Sequence, residues 1–304
     1  MGLSIYNIKK WAKMLTGKSI MHVNQDMGKF FVAGEIKGYF NNLTEKVLKD
    51  PATLEKMQIP ISTDEKVGEV YFPIAIFQYG LGAYDLYLGN GKKEFVSQFF
   101  RCVEWAVENQ ENDGSWNNFG FIQPEAPYSS MCQGEGASLL IRAYKETGDR
   151  KYLEMAKKAI DFMLISIENG GTTKYVNNEI IFYEYTNKPC VLNGWIFSIF
   201  GLYDLCVVYK SDYYTKMLKI SLLSLKNHLK NFDCGYWSYY DEGGLITSPF
   251  YHDLHIAQLQ ALSMIDSEED VYEQMRNRFI YYRDKRRYKS KAFMIKVVQK
   301  VLEK

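Results

Sequence analysis

Apolar residues recur with helical spacing through the middle of the chain, and their pattern repeats. Three such runs each carry a tyrosine near their end, at Tyr84, Tyr144 and Tyr203, which lie 60 and 59 residues apart. Each run is followed by a short polar turn and then by a second, amphipathic stretch with helical spacing. A repeat of this length that holds two helices predicts a stack of α-helical hairpins.

The second helix of each hairpin is predicted from its amphipathic spacing. We expect these helices over roughly 94–109, 150–166, 213–230 and 268–282, and the first helix of the fourth hairpin over about 253–265. Glycine–aromatic loops follow two of them, at 113–116 and 233–237. Helical hairpins with aromatic loops at one end indicate an all-α fold, the (α/α) toroid or barrel, with a plain binding α-solenoid as the other interpretation.

The composition changes on either side of the repeat and divides the chain into three parts. Residues 1–68 are mixed and polar, and we expect a small irregular leader that packs on the main body. Residues 69–282 are expected to form the toroid. Residues 283–304 combine lysines and arginines with helically spaced apolar residues, which predicts a basic amphipathic helix. Such a helix can bind an anionic membrane surface or an anionic polymer. It can equally be a terminal helix that packs on the main body.

The charge balance and the aromatic content narrow the classes of partner. The 37 basic and 36 acidic side chains nearly cancel, which argues against a dedicated nucleic-acid-binding protein. Aromatic residues make up 15% of the chain and include 24 tyrosines. Aromatic faces with polar hydroxyls suit the stacking of sugar rings, although a compositional bias of the genome would give the same count.

The cysteines and the apolar segments bear on the compartment. The five cysteines are odd in number and have no CxxC spacing, so neither a disulfide framework nor a zinc site is expected. The sequence shows no secretory signal and no apolar run of about 18 residues that could span a membrane. We therefore expect a reducing, cytoplasmic location, with membrane association only through the basic C-terminal helix.

Two short patterns that suggest a cofactor or a metal are incomplete. Residues 80–82 and 134–136 begin like dinucleotide-binding fingerprints, but both lack the third glycine and a preceding strand. His252 and His255 can share one helix face, but no further ligand has the spacing of a metal site. We therefore expect neither a nucleotide cofactor nor a metal.

Polar and aromatic residues alternate in three clusters, which lie at predicted loops or helix starts. These clusters are 182–195, 236–241 and 250–259. Loops and helix starts are where catalytic groups often gather. The three clusters are therefore the candidates for a functional site.

The clusters resemble the C-terminal helical domain of the D-glucuronyl C5-epimerase family. The segments that carry the resemblance are 183–185, 191–195, 201–205, 240–241 and 251–259, preceded by 77–81, 128–136 and 139–144. They follow the family's order over about residues 70–265. The chain departs from the family pattern after Tyr185, where the family's proline and serines are altered and the loop is about two residues shorter. The larger N-terminal β-rich region of the animal enzymes is also missing.

The resemblance implies an activity and a set of site residues. The activity is the C5 epimerisation of D-glucuronate to L-iduronate in a polysaccharide, heparosan-like or a bacterial capsule or exopolysaccharide, without a cofactor. Residues 69–282 would be the catalytic domain, and a homodimer is also implied. The catalytic positions are Glu184, Tyr185, Tyr240 and Tyr251. The polar contacts to substrate are Arg142, Asn193, His252 and His255, and the stacking residues are Trp116 and Trp237.

The chemistry of the residues agrees with this activity. Removal of the proton at C5 of a uronate gives a carbanion, which is stabilised as an enolate once the carboxylate charge is neutralised. The site then needs one acid–base group for each face of the sugar, and we expect Glu184 and Tyr251 in these roles. Tyr185 and Tyr240 would hold the carboxylate or assist the transfer. Burial raises the pKa of a carboxyl and a nearby positive charge lowers the pKa of a phenol, so both can approach neutrality.

Three other functions use similar residues. A polysaccharide lyase forms the same carbanion and then expels the substituent at C4, so residue types cannot separate it from an epimerase. A glycoside hydrolase needs two opposed carboxylates, for which Glu184 has Asp241 and Asp253 as partners. A glycan-binding α-hairpin protein would use the same aromatic surface without catalysis.

Overall fold

The computed structural model describes residues 23–64, 66–268 and 270–302, which form helices and two small antiparallel hairpins. The helices are α1 (Thr44–Leu48), α2 (Pro51–Glu55), α3 (Pro73–Asn90), α4 (Lys93–Asn109), α5 (Ser130–Thr147), α6 (Arg150–Met163), α7 (Leu192–Val208), α8 (Asp212–His228), α9 (Pro249–Ile265), α10 (Val271–Asp284) and α11 (Arg286–Leu302). The strands are β1 (Ser62–Asp64), β2 (Gly68–Val70), β3 (Thr173–Val176) and β4 (Glu179–Phe182). The predicted all-α class is confirmed. The first 22 residues of the predicted leader lie outside the described residues.

Glycine caps and polar turns join the helices into hairpins. α3 ends before Gly91 and α5 ends before Gly148, whose φ values of 67° and 72° lie in the left-handed region that favours glycine. The side chain of Asp149 then accepts a hydrogen bond from the backbone N–H of Lys151 and caps the start of α6. The predicted second helices correspond to α4, α6, α8 and α10, whose ends differ from the predicted ends by at most three residues.

The first helix of each hairpin is buried on all sides, whereas the second keeps an exposed face. In α7 every side chain from Leu192 to Leu202 is buried, while the buried positions of α4 recur at helical spacing, as at Phe95, Phe99 and Cys102. The inner helices α3, α5, α7 and α9 pack against one another in chain order. Because an antiparallel outer helix separates them along the chain, the inner helices run in parallel. Their N-termini therefore share one end of the protein.

Two glycines let the inner helices α5 and α7 approach at their backbones. A Cβ atom added to Gly201 would collide with the backbone of Gly134, and one added to Gly134 would lie 2.8 Å from the carbonyl oxygen of Phe197. The obstacles are backbone atoms on both sides, so no side chain can move aside to make room. The spacing of these two helices therefore depends on glycine at both positions.

The described part of the leader packs against the C-terminal halves of the inner helices. The ring of Phe40 stacks on Phe200 of α7, with ring centroids 4.1 Å apart. The backbone N–H of Tyr39 donates a 3.0 Å hydrogen bond to Asp85 of α3. Arg142 of α5 donates a 2.9 Å hydrogen bond to the carbonyl of Gly38. The leader therefore covers the end of the inner helices opposite to their N-termini.

The C-terminal helix α11 packs one face on the body and exposes the other. Ala292 is buried, and the amide of Gln299 accepts a 2.9 Å hydrogen bond from the backbone N–H of Ile246 and donates a 3.0 Å bond to the carbonyl of Gly244. Phe293 and Met294 on the other face are 42% and 61% exposed, so the membrane interpretation of this helix stays a prediction. Among the helices of the described ranges, none is long and apolar enough to cross a bilayer.

We expect Gly201→Ala to destabilise the protein because the added methyl group meets the backbone of α5. The expected loss in the free energy of unfolding is about 1–3 kcal/mol, as for other overpacked core positions. Thermal or urea unfolding measures it. The matched control is Gly89→Ala near the exposed end of α3, where the added methyl group meets the tip of the Phe30 ring at 3.1 Å and no backbone atom, and where alanine favours the helix over glycine. Equal stability of Gly201→Ala and the wild type would contradict the backbone contact.

Candidate active site

Three loops that lead from outer to inner helices meet at the N-terminal end of the inner helices. Phe119, from the loop before α5, stacks on Tyr185 of the loop before α7 at a centroid distance of 4.5 Å. The backbone N–H of Leu192 donates a 3.1 Å hydrogen bond to the carbonyl of Tyr240, from the loop before α9. The ring of Tyr240 lies edge-on to Tyr251 of α9 at 5.1 Å. The fold therefore brings the predicted catalytic tyrosines together.

A hairpin that the sequence did not predict delivers Glu184 to this end. β3 and β4 pair with Thr173 opposite Phe182, and the chain leaves β4 directly into Glu184. The carbonyl of Tyr183 accepts a 3.0 Å hydrogen bond from the backbone N–H of Ser130, which ties this segment to the start of α5. The position of Glu184 is thus fixed by the backbone contacts of the residues directly before it.

Gly194 in the first turn of α7 makes room for the Glu184 side chain. A Cβ atom on Gly194 would lie 2.6 Å from both the Cβ and the Oε2 of Glu184. Only glycine lets the helix start approach the carboxyl this closely. The segment 191–195 that carries the sequence resemblance therefore has a physical reason to contain glycine at this place.

A chain of hydrogen bonds joins two of the phenols to the carboxyl. Tyr185 lies within hydrogen-bonding range of the Glu184 carboxyl, and Tyr240 lies within that range of the Tyr185 phenol. The second carboxyl oxygen of Glu184, Oε2, is buried and has no hydrogen-bond partner among the described residues. Glu184 is only 6% exposed, whereas Tyr185, Tyr240 and Tyr251 are partly exposed, so a ligand can reach the cluster.

Burial sets the protonation states of the cluster. It raises the pKa of Glu184 to about 7, although the hydrogen bond from Tyr185 and the nearby charge of Lys188 act in the opposite direction. Burial and the neighbouring carboxyl raise the pKa of Tyr185, Tyr240 and Tyr251 above the usual value for a phenol. The expected downward shift of the phenols is therefore not found. Near neutral pH the phenols carry their protons and Glu184 can gain or lose one.

The two histidines of α9 are connected through Ser238. His252 Nε2 lies 3.0 Å from the carbonyl oxygen of Phe279 and must carry the proton, so its Nδ1 accepts the 2.8 Å bond from the Ser238 hydroxyl. The Ser238 oxygen in turn accepts the 3.2 Å bond from His255 Nδ1. Burial lowers the pKa of both histidines to about 3, so both are neutral. His252 is therefore fully occupied by protein groups.

Several buried acceptor atoms near the inner-helix starts have no partner among the described residues. They are His255 Nε2, Asn193 Oδ1, Gln258 Oε1 and Glu184 Oε2. The Gln258 amide nitrogen donates a 3.1 Å hydrogen bond to the Asn193 carbonyl, which joins α9 to α7 beside Gly194. Unsatisfied buried acceptors are rare in proteins and require donors. Hydroxyl groups are suitable donors, since each carries one O–H.

Three residues that the sequence placed at the site are buried elsewhere. Arg142 forms a 2.7 Å ion pair with Asp204 in the C-terminal halves of α5 and α7. The indole N–H of Trp116 donates a 2.9 Å bond to the carbonyl of Ala106, and the Trp237 ring stacks on His252 at 3.7 Å. Arg142, Trp116 and Trp237 are each 1% exposed, so in this structure they stabilise the core and present no face to a sugar.

The structure adds ionisable residues that the sequence did not single out. Glu135 of α5 is fully buried, and its Oε1 accepts a 2.8 Å bond from the Gln78 amide. Burial raises the pKa of Glu135 to about 8, and the charge of Glu184 acts in the same direction. Lys188 lies over the Tyr185 ring, with Nζ 4.4 Å from the centroid. The sequence does contain a signal for Glu135, because an acidic residue within an apolar helix is unusual.

Comparison with known proteins gives a family and two curated relatives. A sequence model of the D-glucuronyl C5-epimerase C-terminus matches residues 110–281. The D-glucuronyl C5-epimerase of Caenorhabditis elegans is 31% identical over 220 residues, which are 63% of this chain and 36% of that protein. An uncharacterised protein of Methanocaldococcus jannaschii is 34% identical over 136 residues, which are 43% of this chain and 44% of that protein. The chain thus spans less than half the length of both relatives.

A solved structure confirms the architecture. The unsaturated glucuronyl hydrolase of Streptococcus agalactiae superposes with a TM-score of 0.52 at 15% sequence identity. The match covers 79% of this chain and 63% of that chain. That protein is an (α/α) barrel, so the toroid predicted from the hairpin repeat is confirmed. At this identity the likeness shows the fold alone.

The burial of Glu184 predicts a specific dependence of stability on pH. Because folding raises its pKa to about 7, the folded protein holds this proton more tightly than the unfolded chain. Stability is therefore lost as the pH rises from about 4.3, the unfolded value, through 7, by on the order of 3 kcal/mol. Glu184→Gln removes this loss, so we expect its unfolding temperature to exceed that of the wild type at pH 8 but not at pH 4.

The matched control is Glu108→Gln, which changes an exposed carboxyl of α4 in the same way. Its unfolding temperature is expected to follow that of the wild type at both pH values. A Glu184→Gln variant that is less stable than the wild type at pH 8 would contradict this account. It would show that the ionised carboxylate stabilises the fold.

Proposed function

The chain belongs to the D-glucuronyl C5-epimerase C-terminus family, and from this premise we propose that it epimerises uronic acid residues at C5 within a polysaccharide. The observation that carries the proposal is the contiguous set of Glu184, Tyr185, Tyr240 and Tyr251, a buried carboxyl surrounded by three partly exposed phenols. The proposed direction is from D-glucuronate to L-iduronate, and the reaction is reversible because it consumes nothing.

In the proposed first step Glu184, as a carboxylate, removes the proton from C5. The electron pair of the broken C–H bond moves into the neighbouring carboxylate and forms an enediolate, while the proton stays on Glu184. A pKa of about 7 leaves a large share of Glu184 ionised at neutral pH.

In the proposed second step Tyr251 returns a proton to C5 from the opposite face. The enediolate electrons form the new C–H bond and leave a phenolate on Tyr251. Tyr240 lies against Tyr251 and hydrogen-bonds to Tyr185, which in turn bonds to Glu184. Glu184 then releases its proton to solvent and the Tyr251 phenolate takes one from solvent, which restores both groups for the next turnover and brings solvent hydrogen into C5.

The proposed substrate is a polymer that contains glucuronate, either heparosan-like or a bacterial capsule or exopolysaccharide. The polar contacts of Asn193 and His255 to the substrate stay predictions from the resemblance, since both residues are buried, at 2% and 0% exposure. The C. elegans relative is named for glucuronyl epimerisation, which supports the substrate class. The homodimer implied by the resemblance stays a prediction.

A lyase would begin with the same proton abstraction and then break the bond at C4. That outcome needs a group that protonates the leaving oxygen at C4. The two reactions give different products. A lyase produces an unsaturated uronate with a new ultraviolet absorbance, and an epimerase produces none.

We expect the full chain to introduce deuterium from solvent into C5 of a glucuronate polymer, without added nucleotide or metal and without a rise in ultraviolet absorbance. Glu184→Gln and Tyr251→Phe should each lower the exchange rate at least about 100-fold, as for the loss of a general acid or base. NMR of the recovered polymer measures the exchange. Tyr213→Phe, at a tyrosine that is 52% exposed on α8, is the matched control and should exchange normally.

Each contrary outcome has a distinct meaning. A rise in absorbance together with chain cleavage would replace the epimerase by a lyase. Release of reducing ends without unsaturation would indicate a hydrolase. No exchange across heparosan and other glucuronate-containing polymers would contradict the proposed activity.

A further inference from the structure

The proposed chemistry brings a second negative charge to a cluster that already contains one. The uronate carboxylate enters beside Glu184, and the enediolate then concentrates still more negative charge at the same carboxyl. Two like charges a few ångströms apart repel strongly in a partly buried site. Stabilisation of such charge by positioned cations or donors is a major part of enzymatic rate enhancement. The site therefore needs positive charge close to the phenols.

Arg142, the cation that the sequence suggested, cannot provide it. Its guanidinium is 1% exposed, pairs with Asp204 at 2.7 Å, and donates to the carbonyls of Ser138 and Gly38. Its charge is thus matched by a carboxylate at the leader end of the inner helices. The positive charge has to come from other side chains near Tyr185 and Tyr240.

Lys188 lies at one side of the cluster. It follows Tyr185 by three residues and folds back, so that its Nζ is 4.4 Å from the centroid of the Tyr185 ring. Its side chain is exposed, and its charge acts on Glu184, whose pKa it lowers. An exposed lysine can move by a few ångströms to meet a carboxylate, since it is a point charge on a flexible stem.

Lys296 of the C-terminal helix lies on the Tyr240 side. Its Nζ is 6.0 Å from the centroid of the Tyr240 ring, and the residue is partly buried. Gln299, one turn further along α11, holds the loop that follows Tyr240 through its bonds to Gly244 and Ile246. The helix therefore fixes both the lysine and the loop that carries the phenol.

We propose that Lys188 and Lys296 bind the uronate carboxylate from two sides and neutralise the charge that develops on it, so that the C-terminal helix is part of the active site. This inference rests on the proposed function. It also gives the site a basis for specificity, because a neutral hexose offers these lysines no counter-charge. Lys188 and Lys296 would then favour a uronate over a glucose residue in the same polymer.

A purely structural role makes a different prediction. Both ammonium groups lie over tyrosine rings, and a cation–π contact alone stabilises the fold slightly at an exposed site. If that were their only role, removal would change stability slightly and would affect charged and neutral sugars alike. The response to the substrate carboxylate therefore separates the two roles.

The test uses the full chain, a glucuronate-containing polymer, and the same polymer after chemical reduction of its carboxyl groups to alcohols. For Lys188→Ala and Lys296→Ala we expect kcat/KM for deuterium exchange to fall about 10- to 100-fold each, and more in the double variant. Calorimetric binding of the glucuronate polymer should weaken and lose part of its salt dependence, whereas binding of the reduced polymer stays as in the wild type. Lys296→Arg should recover part of the loss because it keeps the charge.

Lys174→Ala and Lys216→Ala are matched controls at exposed lysines away from the cluster, and both should behave as the wild type. Unfolding temperatures of all variants confirm that each is folded. Exchange and polymer binding that are unchanged in the double variant would overturn the proposal while leaving the epimerase intact. An equal loss of binding for both polymers would overturn it as well, in favour of the structural role.

Failure of the proposed function gives a different pattern. In that case the wild type does not exchange C5 protons. The binding comparison alone then shows whether Lys188 and Lys296 bind the uronate carboxylate. A wild type that prefers the glucuronate polymer over the reduced one, with a preference that disappears in Lys188→Ala and Lys296→Ala, would still support carboxylate binding. A wild type without this preference would contradict it.

Discussion

The site depends on a carboxyl group that the fold holds away from water. Glu184 is 6% exposed, one of its oxygens has a single phenol partner, and the other has none among the described residues. Burial without a cation in contact makes the ionised form costly, which is why the pKa moves up to about 7. The β3–β4 hairpin, the glycine at 194 and the phenols of Tyr185 and Tyr240 all serve to hold this one group in place.

The polar groups of the interior divide between the two ends of the inner helices. At the leader end, Arg142 forms a buried ion pair with Asp204 and donates a hydrogen bond to the backbone carbonyl of Gly38. At the end with the loops, the acceptors of Glu184 and His255 remain without partners. A buried polar group without a partner destabilises the fold, and such groups persist mainly where function requires them. Buried atoms without a partner among the described residues also occur at the leader end, at Arg142 Nε, Ser138 Oγ and Tyr39 Oη. It is therefore the carboxyl of Glu184 with its phenols that marks the end with the loops as the candidate site.

The sequence predicted the parts of the fold that depend on local pattern. The spacing of Tyr84, Tyr144 and Tyr203 led to the hairpins and the toroid, because helical periodicity and turn residues are local signals. The contacts of Arg142 were not predictable in the same way, since its partner Asp204 lies 62 residues away and only the packing of α5 on α7 joins them. The acid in the repeated Tyr–Asp–Leu pattern was a usable clue, because an aspartate in an apolar helix needs a partner.

The same limit explains what was missed at the site. Lys296 appeared to belong to a separate basic tail, and only the docking of α11 brings it near Tyr240. Trp116 and Trp237 were chosen as sugar-stacking residues by type, but whether an aromatic face is open depends on tertiary packing, which covers both.

The central claim is that the fold shields the Glu184 carboxyl from water and so raises its pKa to near 7. NMR titration of the side-chain carboxyl carbon of Glu184 tests this claim most directly. Its signal is assigned by comparison with Glu184→Gln, and the folded protein is titrated across the acidic and neutral range. The structure predicts a midpoint near pH 7, because burial outweighs the hydrogen bond from Tyr185 and the charge of Lys188. A midpoint near the ordinary glutamate value of about 4.3 would mean that water or a cation solvates the group, and would contradict the account.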